Sequence, residues 1–134
     1  MNEEVKKVWV AKLRSGEVKQ GKGSLGTPDG KRCCLGVLCD LAVEAGVIDP
    51  PVIDKPFDND DEENLFYGAA ITDNLSLPIE VKRWAGLPDV IGTINRGKYA
   101  DQPLSDLNDG CNRFAQKYVQ LNFKEIADVI EEVF

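Results

Sequence analysis

Residues Gly16–Gly46 read GEVKQGKGSLGTPDGKRCCLGVLCDLAVEAG. The first half is rich in glycine and lysine, and the second is apolar and opens at a doubled cysteine. Thr27-Pro28-Asp29-Gly30 is a turn signal, because proline presets the backbone angle of the second turn position and glycine closes it. Weak alternation over residues 17–25 and the segment Lys31–Cys34 predict the outgoing and returning strands of a hairpin across that turn. Leu35–Ala45 then predicts a buried helix, with Leu35, Leu38, Leu41, Ala42 and Ala45 inward and Gly46 as its stop. A basic, flexible edge is thus tied to an apolar anchor.

Working outward, residues 3–14 predict a helix with Val5, Val8, Trp9 and Leu13 on one face, ended by Ser15-Gly16. Residues 47–64 are rich in proline and acid and predict an exposed loop. LFYGAAI at 65–71 suits a short buried strand. Leu77-Pro78 opens a helix carrying Ile79, Val81, Trp84 and Ala85 and ending at Gly86. Residues 88–95 suit a strand with Val90, Ile91 and Ile94 as its apolar members. Leu104–Asn108 predicts a helical turn stopped by Gly110, and Arg113–Gln120 another. Asn122 with Glu125 forms a capping-box pattern opening a last helix, with Phe123, Ile126, Ala127, Ile130 and Phe134 on one stripe. The expected architecture is α+β: about four helices packed on a small antiparallel sheet, in a single domain.

A chain of 134 residues has the size of one domain, and its 43% apolar and 29% charged residues are ordinary for a globular protein. MNEEVKKVWVAKL is charged throughout and lacks the apolar core of a signal peptide, and no apolar run approaches the roughly 20 residues of a membrane span. The expected location is the cytoplasm, away from the membrane. A net charge of −7 disfavours broad nucleic-acid binding. The charge is segregated, however. Lys12, Arg14, Lys19, Lys22, Lys31 and Arg32 cluster near the N-terminus, and acid gathers at Asp54–Glu63. A local basic cluster is enough for one small phosphate-bearing ligand.

Histidine is absent, which excludes serine–histidine and cysteine–histidine catalysis. Cys33, Cys34, Cys39 and Cys111 lack the paired close spacing of a zinc site, so Cys34 and Cys39 are expected as buried, reduced thiols without a metal. An EF-hand loop begun at Asp58 would need glycine where Glu63 stands and glutamate where Ala69 stands. No catalytic residue, metal or cofactor is assigned.

Lys19-Gln20-Gly21-Lys22-Gly23-Ser24 has the composition of a phosphate cradle, glycines allowing close backbone approach and lysines supplying charge. It is not a P-loop, since GxxxxGK[ST] is missing, and lysines also protect ordinary sheet edges. Asp106, Asn108 and Asp109 make a second polar knot, readable as a cap or as the sugar-and-base end of a site. Tyr67 and Tyr99 could each stack on a base. The candidate ligand residues are Lys19, Gln20, Lys22 and Arg32 for the phosphates, with Tyr99, Asp106 and Asn108 at the other end.

The segments LRSGEVKQGKGSL, CCLGVLCDLA, LPIEVKRWAGL, LNDG and FKEIADVIEE together resemble a group of small proteins of tailed phages and prophages. CCLGVLCD is the most specific of them. In that group the LND segment runs almost directly into the FxxIAxxIE helix, whereas here Cys111–Asn122 intervenes. The resemblance implies no reaction. It implies a setting: a small phage accessory protein in the cytoplasm of the infected bacterium. The expectation is a non-enzymatic counter-defence protein that sequesters a nucleotide-derived immune signal, with a homo-oligomer enclosing the pocket. Two alternatives are an acidic protein-interaction inhibitor of a host defence protein and a small hydrolase using Asp106 or Asp109.

Overall fold

The N-terminal helix begins where Asn2 caps it, its side-chain oxygen accepting from the amides of Glu4 at 3.0 Å and Val5 at 3.2 Å. Glu3 and Glu4 occupy the first turn of α1 (Glu3–Arg14) and Lys12 and Arg14 the last, so charge complements the helix dipole at both ends. The structure is a computed structural model that describes residues 1–54, 63–68, 75–110 and 119–134. α1 buries Val5, Trp9, Val10 and Leu13. Val8, expected inward, is 52% exposed. The packed arc centres on Trp9 and Leu13, because α1 lies against two other helices, α2 (Cys34–Glu44) and α5 (Phe123–Val133).

α2 is the centre of the fold. Every residue from Cys34 to Cys39 is buried, as are Leu41 and Ala42, which is the signature of a helix covered on all sides. Ala45, expected inward, is exposed beside the left-handed Gly46 at φ 75° that ends the helix. Cys33 opens it: its Sγ accepts from the Gly36 amide at 3.4 Å. Gly36 itself is dictated by packing, since a Cβ there would lie 1.8 Å from the Leu25 carbonyl oxygen. The Trp9 indole donates to the Cys34 carbonyl at 2.9 Å, joining α1 to the start of α2.

The glycine- and lysine-rich segment folds differently from the predicted hairpin. β1 (Lys19–Gln20) and β2 (Lys31–Arg32) pair in parallel, Lys19 opposite Lys31 and Gln20 opposite Arg32. The turn at Thr27–Gly30 forms as read, with Thr27 donating to the Lys31 carbonyl at 3.0 Å. The antiparallel partner across it is Gly26, which bridges Arg32. The chain therefore passes β2 on both edges: Lys19–Gln20 runs parallel on one side, and Gly26 returns antiparallel on the other.

β3 (Val52–Asp54) and β4 (Asn64–Phe66) form a second, antiparallel pair, and Leu65 donates to the Gly26 carbonyl at 2.9 Å, attaching this pair to the turn. The predicted exposed loop over 47–64 thus contains a strand, whose Val52 and Ile53 are exposed. The predicted strand at 65–71 ends at Phe66, and its last three positions lie outside the described residues, as do most of the acidic run and residues 113–118 of the helix expected at 113–120.

α3 (Ile79–Ala85) is capped by Pro78 and ended by left-handed Gly86. Its Val81 and Ala85 are buried, Ile79 is exposed, and Trp84 packs half-buried against the core. Residues 88–95 form no strand. The Asp89 carboxylate instead accepts from the amides of Ile91 at 3.1 Å and Thr93 at 3.0 Å, folding the segment into a loop. α4 (Leu104–Asp109) ends at left-handed Gly110, as predicted. α5 carries the predicted capping box, and Phe123, Ile126, Ala127 and Ile130 face the core. Arg14 fastens α1 to α5 by donating to Asp128 at 2.6 Å and to Glu131 at 2.8 and 3.0 Å. The result is an α+β domain with five helices among the described residues and two small two-stranded sheets.

Candidate functional site

The basic segment is held from below by one buried amide. Asn108, on α4, has no exposed surface. Its Oδ1 accepts from Gln20 Nε2 at 2.9 Å and from the Cys34 amide at 3.2 Å. Its Nδ2 donates to the Gly21 carbonyl at 2.9 Å and to Asp109 at 2.8 Å. Gln20 Nε2 also donates to the Leu121 carbonyl at 2.9 Å. One side chain thus clasps β1, the start of α2 and the approach to α5, and its bonding capacity is filled by the protein itself.

A second anchor lies on the opposite edge of β2. Arg32 donates from Nε to Asp40 at 2.8 Å and from Nη1 to the carbonyls of Thr27 at 3.0 Å and Lys31 at 2.9 Å. The other Asp40 oxygen accepts from the Tyr67 hydroxyl at 2.6 Å. Burial and this hydrogen bond to Asp40 push the Tyr67 phenol far above its ordinary value. Arg32 thereby fixes the base of the turn from inside, and its guanidinium is shielded on the core side of β2.

Between these anchors opens a cleft of about 740 Å³, lined by Gln20–Ser24, Gly26–Asp29, Lys31, Glu63 and Asn64. Gly23 takes φ 78° there, a left-handed conformation open to glycine. The amides of Lys22, Gly23 and Ser24 form no hydrogen bond with another described residue. Lys22 reaches Gln120 Oε1 at 2.7 Å. Lys31 Nζ stands 4.0 Å from Asp29, whose carboxylate is held below its usual range, first by the Thr27 hydroxyl. Lys19 is exposed and forms no ion pair with another described residue.

The predicted ligand residues therefore divide. Gln20 and Lys22 line the cleft, with Lys19 beside it in the same strand pair. Arg32 and Asn108 stand behind it as supports. Tyr99 lies away from it, in the loop that also sends Arg96 to the Glu132 carbonyl at 2.7 Å, near the C-terminal end of α5. Asp106 is half-buried in the first turn of α4 and does not line the cleft. The sequence reading missed Lys31 as a lining residue, because only the parallel register brings it beside Lys19. It also missed Asp40 with Tyr67, whose meeting across 27 positions has no local signature.

Cys33, Cys34 and Cys39 are buried thiols. Burial pushes Cys33 up to about 11 and raises the other two well above the ordinary thiol value. Among the described residues, no three cysteine or carboxylate side chains gather as metal ligands, and no helix is long and apolar enough to cross a membrane.

These features define an α+β domain that presents a glycine-lined, lysine-edged cleft on a buried polar clasp. The chain belongs to the family described as a domain of unknown function, DUF8296, whose model matches residues 1–134. Comparisons with curated proteins and with solved structures found no match.

Proposed function

We propose that this protein is a non-enzymatic binder that holds a small phosphate-bearing, nucleotide-like ligand in the cleft between β1 and the Thr27–Gly30 turn. The observation that carries the reading is the cleft wall itself: three consecutive amides, at Lys22, Gly23 and Ser24, that bond to no other described residue, beside the exposed lysines 19, 22 and 31. Backbone amides in a glycine-rich turn and lysine ammonium groups are the donors that phosphate oxygens accept from. Lys22 and Lys31 balance Asp29 and Glu63 on the cleft lining, and the exposed Lys19 beside it adds one positive charge, in a chain of net charge −7. The donors are suited to grip and not to cleave, since a binding role needs charge and amides but no proton shuttle.

The resemblance to proteins of tailed phages supplies the setting. There the ligand is a nucleotide-derived signal of the host's defence, and the protein acts in the bacterial cytoplasm by lowering the free concentration of that signal. The experiment is to mix the purified protein with a nucleotide library, separate the complex, release the ligand by heat and identify it by mass spectrometry. An intact nucleotide supports sequestration. A cleaved product means a hydrolase, and recovery of nothing at saturating library concentration overturns the reading.

A further inference from the structure

The geometry points to a diphosphate, two linked phosphoryl groups, as the recognised part of the ligand, gripped by Lys19 and Lys31 acting as a cross-strand pair. This rests on the binding role proposed above and narrows its substrate class. In the parallel register Lys19 sits directly opposite Lys31, and paired strands run about 4.8 Å apart, so both side chains leave the same face of the sheet. Both are exposed. Gly21 follows two positions after Lys19 and so shares that face. A Cβ on Gly21 would come within 3.0 Å of the Lys31 Cβ, so the absence of a side chain there leaves Lys31 its place.

Like charges directly opposite on a sheet repel. An acidic chain has ample carboxylate to neutralise two lysines. Here, however, among the described residues Lys31 has only Asp29, at the 4.0 Å limit, and Lys19 has no ion pair. The repulsion is relieved by an anion placed between the two ammonium groups. One phosphate supplies a single centre to share. A diphosphate supplies separate oxygens to each lysine and further oxygens to the amides of Lys22 and Gly23 on the adjoining wall, which bond to no other described residue. The Gln20–Arg32 pair, on the opposite face of the same two strands, is tied to Asn108 and Asp40 and fixes the lysine register from below.

The test is titration calorimetry at low ionic strength with inorganic pyrophosphate and with orthophosphate, on the parent protein and on Lys19→Gln, Lys31→Gln, Lys31→Arg and the distant control Lys7→Gln. The expected result is pyrophosphate binding at least tenfold tighter than orthophosphate. Each glutamine variant weakens pyrophosphate about tenfold toward the orthophosphate level, Lys31→Arg restores most of it, and Lys7→Gln matches the parent. Equal affinity for the two anions, or glutamine variants that bind like the parent, overturns the diphosphate clamp. The wider binding role survives that outcome if the nucleotide library still yields an intact ligand, and it falls with the clamp if neither anion nor any nucleotide binds.

Discussion

Gln20 and Asn108, 88 positions apart in the chain, are joined by a 2.9 Å hydrogen bond beneath the lysine-bearing strand. Asn108 is fully buried and also holds the Cys34 amide and the Gly21 carbonyl. Asn108→Ala would strand these groups in a dry environment. Each orphaned buried polar group costs on the order of 1–3 kcal/mol, so a stability loss of about 3 kcal/mol is expected by urea denaturation. A loss under about 1 kcal/mol would mean the clasp is not formed in solution.

Gly36→Ala reverses an ordinary rule. In a helix interior alanine is favoured over glycine by roughly 1 kcal/mol. Here the new methyl would meet the Leu25 carbonyl at 1.8 Å, a backbone atom with no flexible end to yield. The expected outcome is a lower melting temperature or failure to fold. A higher melting temperature would show that the Leu25 segment does not lie on α2.

Ile126→Ala removes a fully buried side chain from the inward stripe of α5. Truncations of this kind cost about 2–5 kcal/mol, measurable by chemical denaturation. A change near zero would place the stripe outside the core.

The buried thiols give a pH dependence. Cys33 rises from 9.0 to about 11 in the folded protein because burial disfavours the thiolate. A group whose folded value is raised holds its proton more tightly in the native state, so its stabilising contribution is complete below the unfolded value and fades as pH rises through the folded one. Folding stability should therefore decline between about pH 9 and pH 11. In a Cys111→Ser background, the three remaining thiols should resist alkylation at neutral pH until denaturant is added. Rapid modification of the folded variant would contradict their burial.

Much of the fold is legible in the residues that carry strong local signals. Asn122 with Glu125 announces α5, Ser15-Gly16 closes α1, and Gly110 stops α4, since caps and stops are short-range chemistry. Val90, Ile91 and Ile94 look like sheet residues, yet 88–95 forms no strand, because Asp89 captures the following amides and folds them back. The pairing of β1 with β2 is invisible locally. Two-residue strands have no register of their own, and this one is imposed by Asn108 on Gln20 and by Asp40 on Arg32. The same long-range bonds explain the divided site. Sequence identifies Asn108 and Arg32 as polar residues able to meet a ligand, but only the tertiary structure reveals that the protein has already used their hydrogen bonds.

The central claim is that exposed lysines of this cleft bind the ligand. The most direct measurement is calorimetry of the parent and of Lys19→Glu/Lys22→Glu against cyclic dinucleotides and ADP-ribose derivatives. Among the described residues Lys19 forms no ion pair and the Lys22 ammonium donates only to the exposed Gln120 amide, so the melting temperature of the double variant should stay close to the parent's. The parent is expected to bind at least one of these ligands and the variant none. Equal binding by the two proteins would contradict it.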